Sequence, residues 1–511
     1  MLDLHSGEAQ LRRKLLTLLT LFILGNLIAA AAELPYGGWI QIPLLSILWW
    51  RLSLLKDSSL KYYFLASLVF GIGYFVVGLW WLYISLHDIG GINSLFSSMA
   101  VFLLSAYVAL YFSIACLSIR LFKNSYLSGL LIASAWVLSE YLRGELFTGF
   151  PWMGLAETQV NGPFAAIAPF FGGLACTFLT VYTSWQILQL KKNPLHYIST
   201  LLVVGLIVFA SGFWIFTKPI GAPLKVELVQ GNFAQSMFFN PEGVLKQIHF
   251  YSTAMMQSQA ELVIAPETAF SWPENSLPIG LIENLQKFSD TTHSNLLFGV
   301  IGRDPSLRVG REFSNRALGL SPLTESYRYD KDHLVPFGEF IPPGFHWFVN
   351  AFNVPLSDFA RGGGSQENLT IYRKNQDSVF AAITICYEDV FGGELAGRIR
   401  NNPKQTNLLI NLTNLAWFGN SQAPTQQLRL SQLRSLETGL PALRATNTGI
   451  TAVLGADGKL LANLPEFTQA SLSTQVQPYA GKTPYVIWGN LPILSISCLL
   501  LIWGLIRHRR F

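Results

Sequence analysis

Charge is scarce in this chain. Asp, Glu, Lys and Arg together make up 13% of its 511 residues, while 51% are hydrophobic. Soluble domains carry about a quarter charged residues. The balance excludes a wholly soluble globular protein and describes a membrane protein with a soluble part. Cysteine is sparser still. Of the four, Cys116, Cys176 and Cys498 fall inside apolar stretches and only Cys386 lies in polar sequence, so no disulfide framework is available there. The eight histidines show no HExxH or other metal-ligand spacing. Neither a Walker A loop nor a dinucleotide fingerprint occurs, so no metal or nucleotide cofactor is indicated. The net charge of +5 comes from basic residues scattered between apolar segments, which argues against nucleic acid as a partner.

Long apolar runs are what the chain has in excess. Seven come first, at Leu15–Ala32, Trp39–Trp50, Phe64–Leu86, Met99–Leu121, Leu127–Leu142, Phe164–Leu188 and Ile198–Phe216, and an eighth spans Val486–Ile506. Most approach the ~20 residues that a helix needs to cross the hydrocarbon core; the second and fifth are short. Basic residues fall in alternate loops: Arg12, Arg13 and Lys14; Arg51, Lys56 and Lys61; Arg120 and Lys123; Lys191 and Lys192; then Arg507, Arg509 and Arg510. The short loops on the other side contain only Arg143. By the positive-inside rule both termini are cytoplasmic, and the long segment between the seventh and eighth runs lies across the membrane. Ala29 to Ala32 resembles a signal-cleavage site, but the apolar run before it exceeds the usual 7–15 residues or so.

One loop on the outer side packs Phe147, Gly149, Phe150, Pro151 and Trp152 beside Arg143. Two readings are open: an aromatic interfacial belt, or a re-entrant loop whose Arg143 meets a phosphate head group.

Between about 218 and 482 the composition changes. Runs at Val226–Val229, Leu262–Ala265, Asn295–Ile301, Ala317–Leu320, Val379–Ile385, Asn407–Asn411 and Gly449–Leu454 read as strands. Helical patterns cover Pro241–Gln257, Ile279–Phe288, Phe391–Arg400 and Ala423–Thr438. Near-continuous apolar strands with helices between them predict an α/β domain, with a sheet or a pair of sheets covered by helices. The domains are then 1–217 and 483–511 for the membrane part and 218–482 for the soluble one. Arg361-Gly362-Gly363-Gly364-Ser365 lacks the flanking pattern of a phosphate cradle and reads as a loop.

The strand Val379–Ile385 delivers Cys386 to its end. Taken alone, such a cysteine is more often a small buried hydrophobe. Glu267 follows another strand, and Lys331 sits in a charged stretch; if the strands are neighbours, all three meet at one sheet edge. A thiol with an ordinary pKa near about 8.5 needs a base or a cation beside it to react as thiolate, and Glu and Lys supply one of each.

Pro266-Glu267, the stretch from Tyr329-Asp330-Lys331 to Phe337-Gly338-Glu339, and Cys386-Tyr387-Glu388 resemble the Glu-Lys-Cys motifs of the nitrilase superfamily. With the N-terminal apolar segments, Gly149-Phe150-Pro151-Trp152, Val229-Gln230-Gly231-Asn232 and the closing segment, the resemblance narrows to the membrane-bound apolipoprotein N-acyltransferase family. It implies an αββα nitrilase-like domain on an eight-helix transmembrane base in the bacterial inner membrane, with the catalytic domain periplasmic. It also implies Cys386 as nucleophile, Glu267 as general base and Lys331 as the cation that steadies an oxyanion. Glu339 and Glu388 would orient Lys331 or the leaving group, and Tyr387 would lend a backbone amide to the oxyanion hole. Implied lipid contacts are Arg143, Phe150, Trp152, Phe238 and Phe239. Phe238-Phe239 stands where the family commonly has Lys-Trp. The partners implied are a phospholipid acyl donor, phosphatidylethanolamine above all, diacylglyceryl apolipoproteins and membrane lipids, with no cofactor. Two alternatives stay open on the sequence: a tethered amidase using water as second nucleophile, and a non-catalytic lipoprotein-binding or transport protein.

Overall fold

Each of the eight apolar runs carries a helix: Leu2–Ala32, Gly37–Leu54, Leu60–Gly78, Ser94–Cys116, Ser128–Glu145, Gly173–Gln189, Pro194–Ser211 and Leu491–His508. The computed structural model describes residues 2–122, 127–304, 306, 312–342, 344, 358–364 and 366–508, with side chains from residue 8 to 507. Lys123, Ser365, Arg509 and Arg510, used above, lie outside the described residues. By length and composition four helices can cross a membrane: Glu8–Ala32, Leu60–Gly78, Ser94–Leu121 and Pro194–Ser211; Leu491–Arg507 is a shorter apolar one. The count of eight crossings therefore exceeds what these criteria support among the described residues. The physical reason is visible in the remaining helices, which bury polar side chains: Gln41 in Gly37–Leu54, Glu140 and Arg143 in Ser128–Glu145, and Thr177, Thr180 and Gln186 in Gly173–Gln189.

Two boundaries differ from the apolar runs because glycine breaks them. The sixth helix begins only at Gly173, after Gly172 at φ 75°, and the last begins after Gly489 at φ 58°. Close helix packing depends on small residues. A Cβ at Gly25 would run into the Phe70 carbonyl, and one at Gly73 into that of Phe22, so the first and third helices approach backbone to backbone. Pro194–Ser211, by contrast, leaves Leu202, Leu206 and Phe209 exposed, as a lipid-facing helix does.

The chain divides into two compact units, one made of the helices above and the other of Ile215–Gly489 with the short piece Asp88–Gly91. The second unit contains two stacked sheets. One runs in the order Ala470–Val476, Leu224–Gln230, Leu262–Ile264, Asn295–Arg303, Phe313–Leu320, Tyr327–Asp330, with Phe270–Pro273 paired beside Asn295–Arg303. The other runs Leu460–Asn463, Ala452–Leu454, Ala442–Thr446, Leu408–Thr413, Val379–Ile385, Leu369–Ile371. The central strands of each are parallel, which is why they read as apolar runs rather than alternating ones.

Three apolar layers follow from this stacking. Leu228, Ile264, Leu297, Ile383, Ile410 and Leu443 fill the space between the sheets. Val263, Leu296 and Phe298 face Val244, Ile248 and Leu285 of the helices Pro241–Gln257 and Leu281–Thr292. Ala382, Leu409 and Ala442 face Leu395 and Leu428 of Gly392–Asn401 and Ala423–Thr438. The order is helix, sheet, sheet, helix, the αββα arrangement that the resemblance implied.

Candidate active site

Glu267, Lys331 and Cys386 each follow the last residue, or nearly so, of a strand: Leu262–Ile264, Tyr327–Asp330 and Val379–Ile385. All three stand at carboxyl ends, where open α/β sheets build their sites. The strands are not neighbours, however. Two strands separate the first pair, and Val379–Ile385 belongs to the other sheet. Convergence across a single sheet edge is thus corrected to convergence across the stack, because face-to-face packing brings the ends of both parallel sets to one place.

Local backbone shapes the site. Cys386 has φ 51°, a left-handed conformation costly for a residue with a Cβ, at the turn from strand into the helical turn Cys386–Val390. Such an elbow lifts the side chain clear of the strand, and Cys386 alone among the three is only half-buried. Glu267 can fold against the next strand because Gly299 has no side chain; a Cβ there would strike the backbone of Glu267 and Thr268.

The charges interlock. Lys331 Nζ lies 2.9 Å from Glu339 Oε2 and 3.6 Å from Glu267 Oε1, with Lys331 buried. Asn315 Nδ2 donates to both carboxylates, at 2.7 Å to Glu267 and 2.8 Å to Glu339. Asn414 donates its backbone N–H to Glu267 Oε2 at 2.8 Å. Burial raises the Glu267 carboxyl above the ordinary range and Glu339 adds to this, while Lys331 opposes it. Burial works to lower the Lys331 ammonium, yet Glu339, Glu267 and Cys386 together hold it above its usual value. Burial, then Glu267, push the Cys386 thiol up, against Lys331. The lysine and the thiol are thus both held in their protonated forms and the proton affinity of Glu267 is enhanced, an arrangement in which Glu267 can take a proton from sulfur.

Glu388 does not touch Lys331. It accepts from the backbone amides of Ile385 at 2.7 Å and Asp332 at 2.9 Å, and from the Tyr329 hydroxyl at 2.9 Å, which Arg398 in turn donates to. One carboxylate thereby ties the Lys331 turn to the Cys386 turn. The Tyr387 ring packs edge-on against Phe391 at 5.2 Å, and its amide follows directly on the elbow. Asn315 and Asn414 were not singled out from the sequence. Ser314-Asn315-Arg316 precede the apolar run Ala317–Leu320 and read as loop in the sequence, yet in the structure they belong to the buried strand Phe313–Leu320.

In the helical unit, Arg143 is buried and turned inward. Its Nη1 donates to the carbonyls of Phe150, at 2.9 Å, and Trp152, and its Nη2 to that of Pro151 at 3.4 Å. Its guanidinium also lies 5.3 Å from the Phe75 ring centroid and 5.7 Å from that of Phe112. The side chain is committed to the loop's own backbone instead of standing open to a phosphate head group. Trp152 is buried against Trp81, 5.1 Å between centroids, and Phe150 is half-buried. In the α/β unit, Phe238 packs on the outer core, whereas Phe239 is exposed and meets only the edge of Trp417 among described rings, at 6.2 Å.

Comparison with known proteins agrees with this architecture. Residues 25–186 match the apolipoprotein N-acyltransferase N-terminal domain, and residues 225–485 match the carbon-nitrogen hydrolase family. Apolipoprotein N-acyltransferase of Ralstonia nicotianae is 40% identical over 451 residues, covering 86% of this chain and 84% of that one. That of Nitrosomonas europaea is 36% identical over 472 residues, 91% of each chain. The Haemophilus influenzae protein is 34% identical over 501 residues, 94% of this chain and 93% of that one. With both parts matched in order and relatives aligned over nearly their whole length, the chain belongs to the apolipoprotein N-acyltransferase family.

Proposed function

We propose that this protein moves an acyl chain from a phospholipid, through a thioester on Cys386, to the amino terminus of a diacylglyceryl-cysteine lipoprotein. The observation that supports it most is the half-buried thiol on a strained elbow with Glu267 and the Lys331–Glu339 pair beside it. In the first half-reaction the thiol proton passes to Glu267 while sulfur attacks the ester carbonyl. Lys331 and the Tyr387 amide stabilise the oxyanion; the C–O bond then breaks, and the lysophospholipid oxygen leaves with the proton held by Glu267. In the second, the lipoprotein α-amine attacks the thioester carbonyl and gives a proton to Glu267. The C–S bond breaks, and that proton returns to the departing sulfur. Keeping water out of the site favours the amine over hydrolysis.

Both substrates are anchored in a bilayer, which accounts for a catalytic domain joined to apolar helices in one chain. The loop charges support an orientation with both termini cytoplasmic and the α/β domain on the periplasmic side of the inner membrane. Phosphatidylethanolamine is the donor we propose. The test is intact-protein mass spectrometry of purified protein given phospholipid alone, then a diacylglyceryl peptide, beside Cys386→Ser. Wild type should gain one acyl mass and lose it as the peptide gains it. An adduct that never forms, or that disappears without acylating the peptide, would overturn the reading. Vesicles of phosphatidylethanolamine and phosphatidylglycerol, compared for adduct rate, test the donor.

A further inference from the structure

Beneath the helix Ala423–Thr438, three polar side chains stand in a row. Parallel pairing sets Thr384 beside Asn411, and Asn411 beside Arg444. Two residues earlier on the same strands, Ala382, Leu409 and Ala442 hold that face with apolar contacts, so the row interrupts an otherwise ordinary core. The helix contributes Gln427 and Ser431, one turn apart and both buried. Arg444 is fully buried in the middle of this arrangement. Its Nη1 donates to Asn411 Oδ1 at 3.2 Å and to Ser431 Oγ at 3.0 Å, and its Nη2 to Gln427 Oε1 at 2.7 Å. Asp389 Oδ2 lies 3.6 Å from Arg444 Nη1 and accepts from Ser431 Oγ at 2.5 Å; Asp389 Oδ1 accepts from Thr384 Oγ1 at 2.8 Å.

The network ends on the nucleophile. Gln427 Nε2 donates to the Cys386 carbonyl at 3.0 Å and lies 4.0 Å from Sγ; Asn411 Nδ2 reaches the same carbonyl at 3.4 Å. Each amide thus takes a hydrogen bond from Arg444 on its oxygen and gives one to Cys386 from its nitrogen, so the guanidinium polarises both donors toward the elbow. Burying a guanidinium and a carboxylate costs a fold more than packing apolar residues in their place.

We propose that Arg444 and Asp389 are a positioning pair for the nucleophile: Arg444 holds the strained Cys386 turn through Gln427 and Asn411 and its charge favours the thiolate, while Asp389 limits that effect. The proposal rests on Cys386 being the nucleophile. The charged groups that bear on its thiol are Glu267 and Glu339, which disfavour ionisation, and Lys331 and Arg444, which favour it. Burial draws the Arg444 guanidinium below its usual value, against Asp389, Cys386 and Glu267, which favour its charge.

The two members make opposite predictions. Arg444→Gln removes the cation and leaves Asp389, so the thiol should ionise at higher pH; Asp389→Asn frees the cation of its partner, so it should ionise at lower pH. A shift of about half a pH unit or more each way is expected for charges joined to the half-buried Cys386 by this chain of hydrogen bonds. The experiment is the pH profile of Cys386 alkylation by iodoacetamide in the full-length, detergent-solubilised protein. Peptide mass spectrometry separates Cys386 from Cys116, Cys176 and Cys498. Arg444→Lys, which keeps the charge, should stay near wild type. Profiles that do not move, or that move the same way in both variants, overturn the proposal. If Arg444→Gln does not fold, Asp389→Asn decides by its direction, and failure of both to fold would show that the pair serves only the fold. Alkylation needs no lipid, so a correct shift in a protein that never acquires an acyl mass would sink the acyl-transfer reading and leave this one standing.

Discussion

Asn414 donates its backbone N–H to Glu267 Oε2 at 2.8 Å, and that bond runs from one sheet of the α/β unit to the other. Asn414 directly follows the strand Leu408–Thr413, the neighbour of the strand that ends at Cys386, so Glu267 is held in register with the sheet that presents the thiol. Glu267 is therefore fixed on both oxygens, by Asn414 on one and Asn315 on the other. A carboxylate so restrained presents one orientation, and in the proposed role of base its environment, more than its identity, would set the pH at which it works.

The first prediction concerns that pH. Glu267 has its folded-state pKa raised, by burial first and Glu339 next, so the carboxylate form exists only above a pKa higher than the ordinary 4.5. Activity that needs the carboxylate is present above this raised value and is lost as pH falls through it. The acidic limb of acyl-enzyme formation should therefore lie above the ordinary carboxylate range. Glu267→Gln should cost roughly 10²- to 10⁴-fold in the rate of adduct formation, the usual worth of a positioned base. Rapid-quench mass spectrometry across pH measures both; a limb at the unperturbed carboxylate value would refute the assignment.

Asn315 leads to a second prediction. Its single amide nitrogen serves two buried carboxylates, Glu267 and Glu339. Asn315→Asp would replace the shared donor with a third negative charge and drive the Glu267 proton affinity higher still. The acidic limb should move to higher pH than in wild type. Asn315→Ala, which leaves both acceptors short of a donor, should cost about 1–3 kcal/mol of stability in a thermal or denaturant melt. Equal pH profiles for Asn315→Asp and wild type would show that the bridge has no electrostatic role.

How much of this was legible depended on what each residue type betrays. The apolar parallel strands and the helices Pro241–Gln257 and Ala423–Thr438 could be read directly, since periodicity and length reflect burial. The strand Ala442–Thr446 could not, because Arg444 breaks its apolar run although the residue is wholly buried. Ala470–Val476 was missed for a different reason: it is an edge strand with alternating exposed Ser, Ser and Gln, and its short polar pattern resembles a loop. At the site, the chemically typed residues Glu267, Lys331 and Cys386 stood out by motif. The neutral donors Asn315 and Asn414 did not, since amides are common on any surface and only three-dimensional proximity gives them a role.

A third prediction follows from a buried cation shared by two carboxylates. Lys331 is buried with Glu339 and Glu267 as its ionic partners. Lys331→Met removes the positive member and leaves two buried carboxylates facing each other. The loss should be about 3–5 kcal/mol, the usual cost of breaking a buried pair from one side. Adding Glu339→Gln to that variant should restore part of the stability, because one of the stranded charges goes, while adduct formation stays lost. Melting temperatures in detergent for the single and double variants, with the mass assay alongside, check this. A double variant no more stable than Lys331→Met would mean that the pairing is not what supports the fold.

The fourth prediction separates two roles for Arg143. Its fork holds the carbonyls of Phe150, Pro151 and Trp152 from within the helical unit, over the rings of Phe75 and Phe112. An arginine that met a lipid phosphate would, on replacement, change the apparent affinity for phospholipid and its dependence on salt, and leave stability alone. An arginine that staples a loop does the reverse. Arg143→Ala should strand three carbonyls and lower stability by about 2 kcal/mol or more. Arg143→Lys should recover only part of this, because an ammonium has no planar fork to span three acceptors. Differential scanning fluorimetry in detergent, set beside donor-lipid titrations at two ionic strengths, distinguishes the cases. A stable Arg143→Ala protein with a weakened, salt-dependent response to phospholipid would return the residue to the head-group role.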